Sequence, residues 1–200
     1  MSTPQGRRLA AAAALVLAVM LLVPAAAGAA THRLGAGTAT FSLDPSETAT
    51  LLGAGIAPAP ISPSRLSFTT SAVRFRTPVS GGTWDQSAPH GTFLLKGGLT
   101  FVAPGSAFKL LALKGWRAGV NTAKGFSISA NGTRSTLFFD ENLMGSIPSI
   151  VTIHGVRYVK VTNVLLFYNA TSAGAFTTAL GGGPSAGDPF AAVTFRARLK

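Results

Sequence analysis

Val193-Thr194-Phe195-Arg196-Ala197-Arg198-Leu199-Lys200 alternates without a fault. In an extended backbone successive side chains point to opposite faces, so Val193, Phe195, Ala197 and Leu199 share one side. Thr194, Arg196, Arg198 and Lys200 share the other. An apolar face opposite a charged one is the signature of a half-buried antiparallel strand. The same period recurs earlier. Ala39, Phe41 and Leu43 oppose Thr38, Thr40 and Ser42, and within Leu66 to Val79, Val73 and Phe75 oppose Arg74 and Arg76.

Turn and cap signals divide the rest into short pieces. Asp44-Pro45 followed by Glu47 predicts a helix of about two turns, with Asp44 as cap, Pro45 first and Glu47 at the capping-box position. Gly53 or Gly55 ends it, and Ala57 to Pro63, with three prolines, reads as an extended connector. Ser80 to Pro89 reads as a loop holding Trp84. Lys96-Gly97-Gly98 between two apolar runs predicts a hairpin, as does Asn131-Gly132. Phe108 to Trp116 reads as a central strand. Ile150 to Tyr168 is β-branched and aromatic, with Gly155 and Asn163 as bend or bulge points. Thr171 or Ser172 is the expected cap of a second short helix, closed by Gly181 to Gly183. These pieces predict one mostly β, antiparallel, sandwich-like domain with two short helices. A barrel shares the pattern, since strand number does not decide closure.

Residues 1–30 carry an address. Arg7 and Arg8 precede the apolar run Leu9 to Val23, then Pro24 and the small residues Ala25 to Ala30. That order defines a secretory signal peptide, cut after Ala29 or Ala30, and the run is short for a membrane span. An uncleaved anchor is the alternative. Residues 31–200 then form the mature domain, secreted or held at the cell envelope, with no transmembrane span expected. The chain has no cysteine, which excludes disulfides, thiol catalysis and thiolate metal sites. Its formal net charge is +11. Setting aside Arg7 and Arg8 leaves about +9, a balance that favours anionic partners such as envelope polymers or lipid headgroups. No basic cluster interleaved with aromatics points to nucleic acid.

Reactive constellations are sparse. The three histidines, His32, His90 and His154, have no ligand spacing, so no metal site is expected. Asp140-Glu141, the one adjacent pair among six acids, reads as a polar turn. The protein is expected not to be an enzyme. Arg74 and Arg76, with Arg196, Arg198 and Lys200, place cations two residues apart on outer strand faces. If their strands neighbour each other, these rows merge into a face for anions. Tyr158 and Tyr168 are the two phenols, hence the candidates for a tyrosinate–iron bond.

The order of landmarks resembles the HtaA-like domain of exported actinobacterial proteins. Three stretches carry the likeness: Gly37 to Pro45 with Gly55-Ile56 and Pro58 to Pro63; Gly91-Thr92-Phe93 leading to Gly97-Gly98-Leu99-Thr100-Phe101; and Val151 to Leu180 with Phe190 to Leu199. The resemblance implies an extracytoplasmic, non-enzymatic β-rich domain, and it implies haem as a ligand. The residues themselves ask for no cofactor. Residues 31–60 hold no tyrosine, and Leu95-Lys96 stand where such domains often carry a histidine. Haem would therefore fall to Tyr158, Tyr168, His90 or His154. The expected function is a non-catalytic envelope or secreted binding protein with a cationic strand face, and the alternative is a haem-binding or haem-relay protein.

Overall fold

The alternating stretch builds a strand as its period requires: Val193, Phe195, Ala197 and Leu199 are buried, and Arg196, Arg198 and Lys200 are exposed. A computed structural model describes residues 31–69, 72–87, 90–103, 109–121, 125–131, 138–140 and 148–200. The signal-peptide reading of residues 1–30, Gly132 of the predicted Asn131-Gly132 turn, and Glu141 lie outside them. In chain order the elements are β1 (Thr31–Leu43), α1 (Pro45–Gly53), β2 (Ala57–Ile61), β3 (Arg65–Phe68), β4 (Val73–Asp85), β5 (His90–Leu95) and β6 (Gly98–Ala103). There follow β7 (Lys109–Lys114), β8 (Arg117–Asn121), β9 (Gly125–Ser129), β10 (Phe138–Asp140), β11 (Ser149–Ile153), β12 (Val156–Tyr168), α2 (Ala170–Leu180) and β13 (Pro189–Leu199).

Two antiparallel sheets share one core, and the fold is mostly β with two helices, as the alternation predicts. The larger sheet runs β1-β13-β12-β10-β9-β8-β5-β4-β3, with β11 added beside β12. Long β4 pairs with β1 along one side; on the other it pairs with β3 through its first residues and with β5 through its last. Because β1 holds both β13 and β4, hydrogen bonding runs round through eight strands and returns to its start. Closure removes the free edges that an open sheet of this size would present. The smaller sheet is β2-β6-β7.

Several local expectations give way to tertiary pairing. Lys96-Gly97 is not a hairpin turn, because β5 belongs to the large sheet and β6 to the small one. The chain changes sheets there. Gly97 takes φ +84°, and a Cβ on it would meet Ser64 Oγ at 2.4 Å and the Ile61 carbonyl at 2.5 Å, so only glycine fits. The proline-bearing 57–61 stretch is strand β2, at the edge where missing N–H groups cost little. Trp84 lies in β4, 2% exposed, not in a loop. β7 is an outer strand of the small sheet. β9 and β10 pair antiparallel, and Asn131 is tied to β7: its Oδ1 accepts from Lys114 N at 2.9 Å and its Nδ2 donates to the Ala112 carbonyl at 3.1 Å.

Both helices are capped by side chains. Asp44 Oδ1 accepts from Ser46 N at 2.9 Å and Glu47 N at 3.2 Å, as predicted. Glu47 does not complete a capping box, since the Asp44 N–H donates to the Phe190 carbonyl at 2.9 Å. The second cap is Asn169, two residues before Thr171. Its Oδ1 accepts from Ser172 N at 2.9 Å while Ser172 Oγ accepts from Asn169 N at 3.0 Å, so Ser172 closes the box at N3. Gly181, left-handed at φ 81°, ends the helix as expected.

Aromatic rings fill the interior end to end. From Trp84 the contacts step to Phe93 (6.3 Å between ring centroids), Phe195 (5.0 Å), Phe41 (6.0 Å) and Trp116 (5.2 Å). They continue to Phe190 (6.4 Å), Tyr168 (5.3 Å), Phe176 of α2 (5.5 Å) and Phe101 of the small sheet (4.6 Å). These rings join the curled sheet, the helix and the small sheet into one core, and a sheet packed in this way has side chains where a ligand cavity would be.

Candidate binding face

Parity turns the charged side chains outward, and register decides which of them are neighbours. Arg196 stands opposite Thr38 of β1 on one flank and opposite Lys160 of β12 on the other. Arg198 stands opposite Tyr158. Across β1, Thr40 faces Arg76 and Ser42 faces Arg74, while Arg76 in turn faces Arg65 of β3. The Arg74/Arg76 row and the Arg196/Arg198/Lys200 row are therefore not adjacent. They flank β1, two strand spacings apart, roughly 10 Å. Hydroxyl-bearing Thr38, Thr40 and Ser42 lie between them. The six acidic residues stand at 44, 47, 85, 140, 141 and 188, none at these positions.

The phenols part company. An unbroken strand would show Tyr158 and Tyr168, ten residues apart, on the same face. Instead the register slips between Val161 and Val164, where Asn163 has φ 54°, and this bulge reverses the parity. Tyr158 is half-buried on the outer face. Tyr168 is wholly buried between Phe176 and Phe190, roughly 30 Å further along β12. Burial, with the carboxyls of Glu47 and Asp188 nearby, drives the Tyr168 hydroxyl well above the ordinary phenol range.

Tyr158 sits at a chemical boundary. Arg196 holds its guanidinium carbon 5.8 Å from the ring centroid, within cation–π reach, and Arg198 is its cross-strand partner. On its other flank, Val151 of β11 is directly opposite, with the Ile153–Val156 pair beside it, all half-buried. His154 caps that hairpin at φ 48°, exposed, about four residues or roughly 13 Å from Tyr158. His90 is exposed on β5, opposite Asp85 and Asn121, on strands that do not pair with β12, although Arg157 of β12 donates to Gln86 Oε1, next to Asp85, at 3.1 Å. Of the four candidates for an iron ligand, Tyr158 is the one that stands opposite a predicted cation in a strand pair and holds a second over its ring.

Two further features escape the sequence. Arg65 joins the cationic face only through the β3–β4 register. Glu47 is 6% exposed, and its Oε1 is buried with no hydrogen-bond partner among the described residues. Burial, then the like charges of Asp188 and Asp44, push its carboxyl up to about 7. Asp44 goes the other way: burial works to raise it, but hydrogen bonds from Ser46 and Glu47 hold it below the usual carboxylate value. No group of three or more potential metal-ligating side chains occurs among the described residues.

A curled antiparallel β domain with a filled core, two short helices and a cationic outer face is the class of protein these observations define. Solved structures of this fold include the C-terminal domain of HtaA from Corynebacterium glutamicum, at TM-score 0.58 and 11% identity, covering 84% of this chain and 99% of that one. They also include the haem-binding protein HtaB from the same organism, at TM-score 0.51 and 15% identity, covering 86% of this chain and 96% of that one. The likeness is one of fold, in keeping with the resemblance in landmark order. No family model and no curated protein matches the sequence.

Proposed function

We propose that this protein is a non-catalytic, extracytoplasmic binding protein that carries haem on the outer face of β11, β12 and β13. The observation that supports the reading is the placement of Tyr158 between an apolar flank and a cationic one. Haem is flat and apolar with two carboxylates at one edge and an iron that accepts a phenolate oxygen. Val151, Ile153 and Val156 suit the ring, Arg196 and Arg198 suit the carboxylates, and the Tyr158 oxygen suits the iron. A cleft of about 380 Å³ between Leu43, Leu165 and Ala192 is apolar but includes Asp44 and neither tyrosine nor histidine, so it offers the iron no such ligand.

The haem-binding protein HtaB, similar in fold, lends this reading more weight than the alternative of an anionic envelope polymer on the same face. The test is a hemin titration of the full chain followed by absorbance. A saturable Soret change is expected, abolished or strongly shifted in Tyr158→Phe, weakened in Arg196→Gln/Arg198→Gln, and unchanged in His90→Ala. Identical titrations for wild type and Tyr158→Phe would remove Tyr158 from the role. No spectral change in the wild type would end the haem reading.

A further inference from the structure

On the far side of β1 the outer face opens into a cleft of about 420 Å³, bounded by Arg65, Arg76, Thr38, Pro63 and Pro78. Arg65 and Arg76 are directly opposite each other across the β3–β4 pair. Like charges so placed repel. No acidic residue lines the cleft to offset them.

The backbone beneath nevertheless holds the pair in place. Ser64 and Thr77, the chain neighbours of Arg65 and Arg76, are 7% and 1% exposed. Ser64 Oγ donates to Thr77 Oγ1 at 3.0 Å and accepts from Gly98 N at 3.0 Å, and the Thr77 hydroxyl donates to the Lys96 carbonyl. This buried knot joins the strand carrying each arginine to the crossing between the two sheets. Two guanidinium forks and the Thr38 hydroxyl thus reach one space from three strands, all donors capable of meeting an oxyanion.

We infer that this cleft is a phosphate-binding site, taking either free phosphate or the phosphate of a lipid headgroup. Donors arriving from three strands suit a tetrahedral group with oxygens pointing several ways better than a planar carboxylate. The site is separate from the Tyr158 surface and stands whether or not haem binds there.

The full chain, labelled with nitrogen-15, is titrated with sodium phosphate at constant ionic strength, and in parallel with sodium chloride and sodium acetate. Phosphate is expected to give saturable amide shifts at Thr38, Arg65 and Arg76, with the other salts much weaker. Arg65→Gln and Arg76→Gln each weaken binding by ~10-fold, the loss expected for one charge-assisted hydrogen-bonding group. Arg65→Lys retains part of the affinity, while Arg198→Gln and Tyr158→Phe leave it unchanged. Flotation with phosphatidylglycerol against phosphatidylcholine vesicles separates the sources: arginine-dependent retention on the anionic vesicles points to the headgroup, and phosphate binding without retention points to the free ion. Shifts that follow ionic strength alike in all three salts, or that persist in Arg65→Gln/Arg76→Gln, overturn the site.

Discussion

Glu47 makes the stability of this protein depend on pH in the direction opposite to most carboxylates. Its side chain is buried against the like charges of Asp188 and Asp44, and its pKa rises from 4.5 to about 7. At low pH the group is protonated in both the folded and the unfolded chain. Between 4.5 and about 7 only the unfolded chain releases the proton, so stability falls as pH rises through that window and levels off above it. At about 1.4 kcal/mol per unit, the fall amounts to ~3 kcal/mol. Glu47→Gln keeps the shape and removes the ionisation. Urea unfolding followed by the fluorescence of buried Trp84 and Trp116 measures the outcome. The stability of Glu47→Gln relative to wild type should rise by ~3 kcal/mol from pH 4.5 to about pH 8. Any cost of burying the amide is the same at every pH and drops out of the comparison. A difference that stays flat across the range would refute the buried, unpaired carboxyl.

Other perturbations test the joints of the fold. Phe176→Ala removes the ring that lies 4.6 Å from Phe101 and 5.5 Å from Tyr168, and should lower stability by ~3–5 kcal/mol in urea melts. A loss under ~1 kcal/mol would mean that α2 is not a joint of the core. Asn169→Ala should destabilise by ~1 kcal/mol and Thr171→Ala scarcely at all, which identifies the cap by differential melting. Gly97→Ala forces a side chain into Ser64 Oγ and the Ile61 carbonyl at a positive φ, and should cost more than ~1 kcal/mol. Normal stability there would show that the crossing between sheets can relax.

Much of the fold is legible because period 2 leaves little choice. The alternation from Val193 to Leu199 and from Thr38 to Leu43 reads correctly, although both strands begin earlier, at Pro189 and Thr31, and the Asp44-Pro45 helix start, the Gly181 stop and the Asn163 bulge are also read correctly. These signals are local: each rests on alternation, a cap or a positive φ within a few residues. The misreadings fall where partners are distant. Lys96-Gly97 looks like a hairpin but joins two sheets, and Trp84 looks loop-borne until β1, far back in the sequence, pairs along the whole of β4.

The candidate face divides in the same way. Alternation alone sets Arg196, Arg198, Arg74 and Arg76 on solvent-facing sides of strands, and composition alone leaves few acids to neutralise them. Pairing decides what those cations become. Inserting β1 between β13 and β4 separates one cationic surface beside Tyr158 from another around Arg65 and Arg76, and the bulge at Asn163 turns Tyr158 outward while burying Tyr168. Side-chain parity is written in the order of residues, whereas strand neighbours depend on contacts between segments far apart in the chain. The sequence therefore determined which residues face out, and only the folded sheet decided which of them meet.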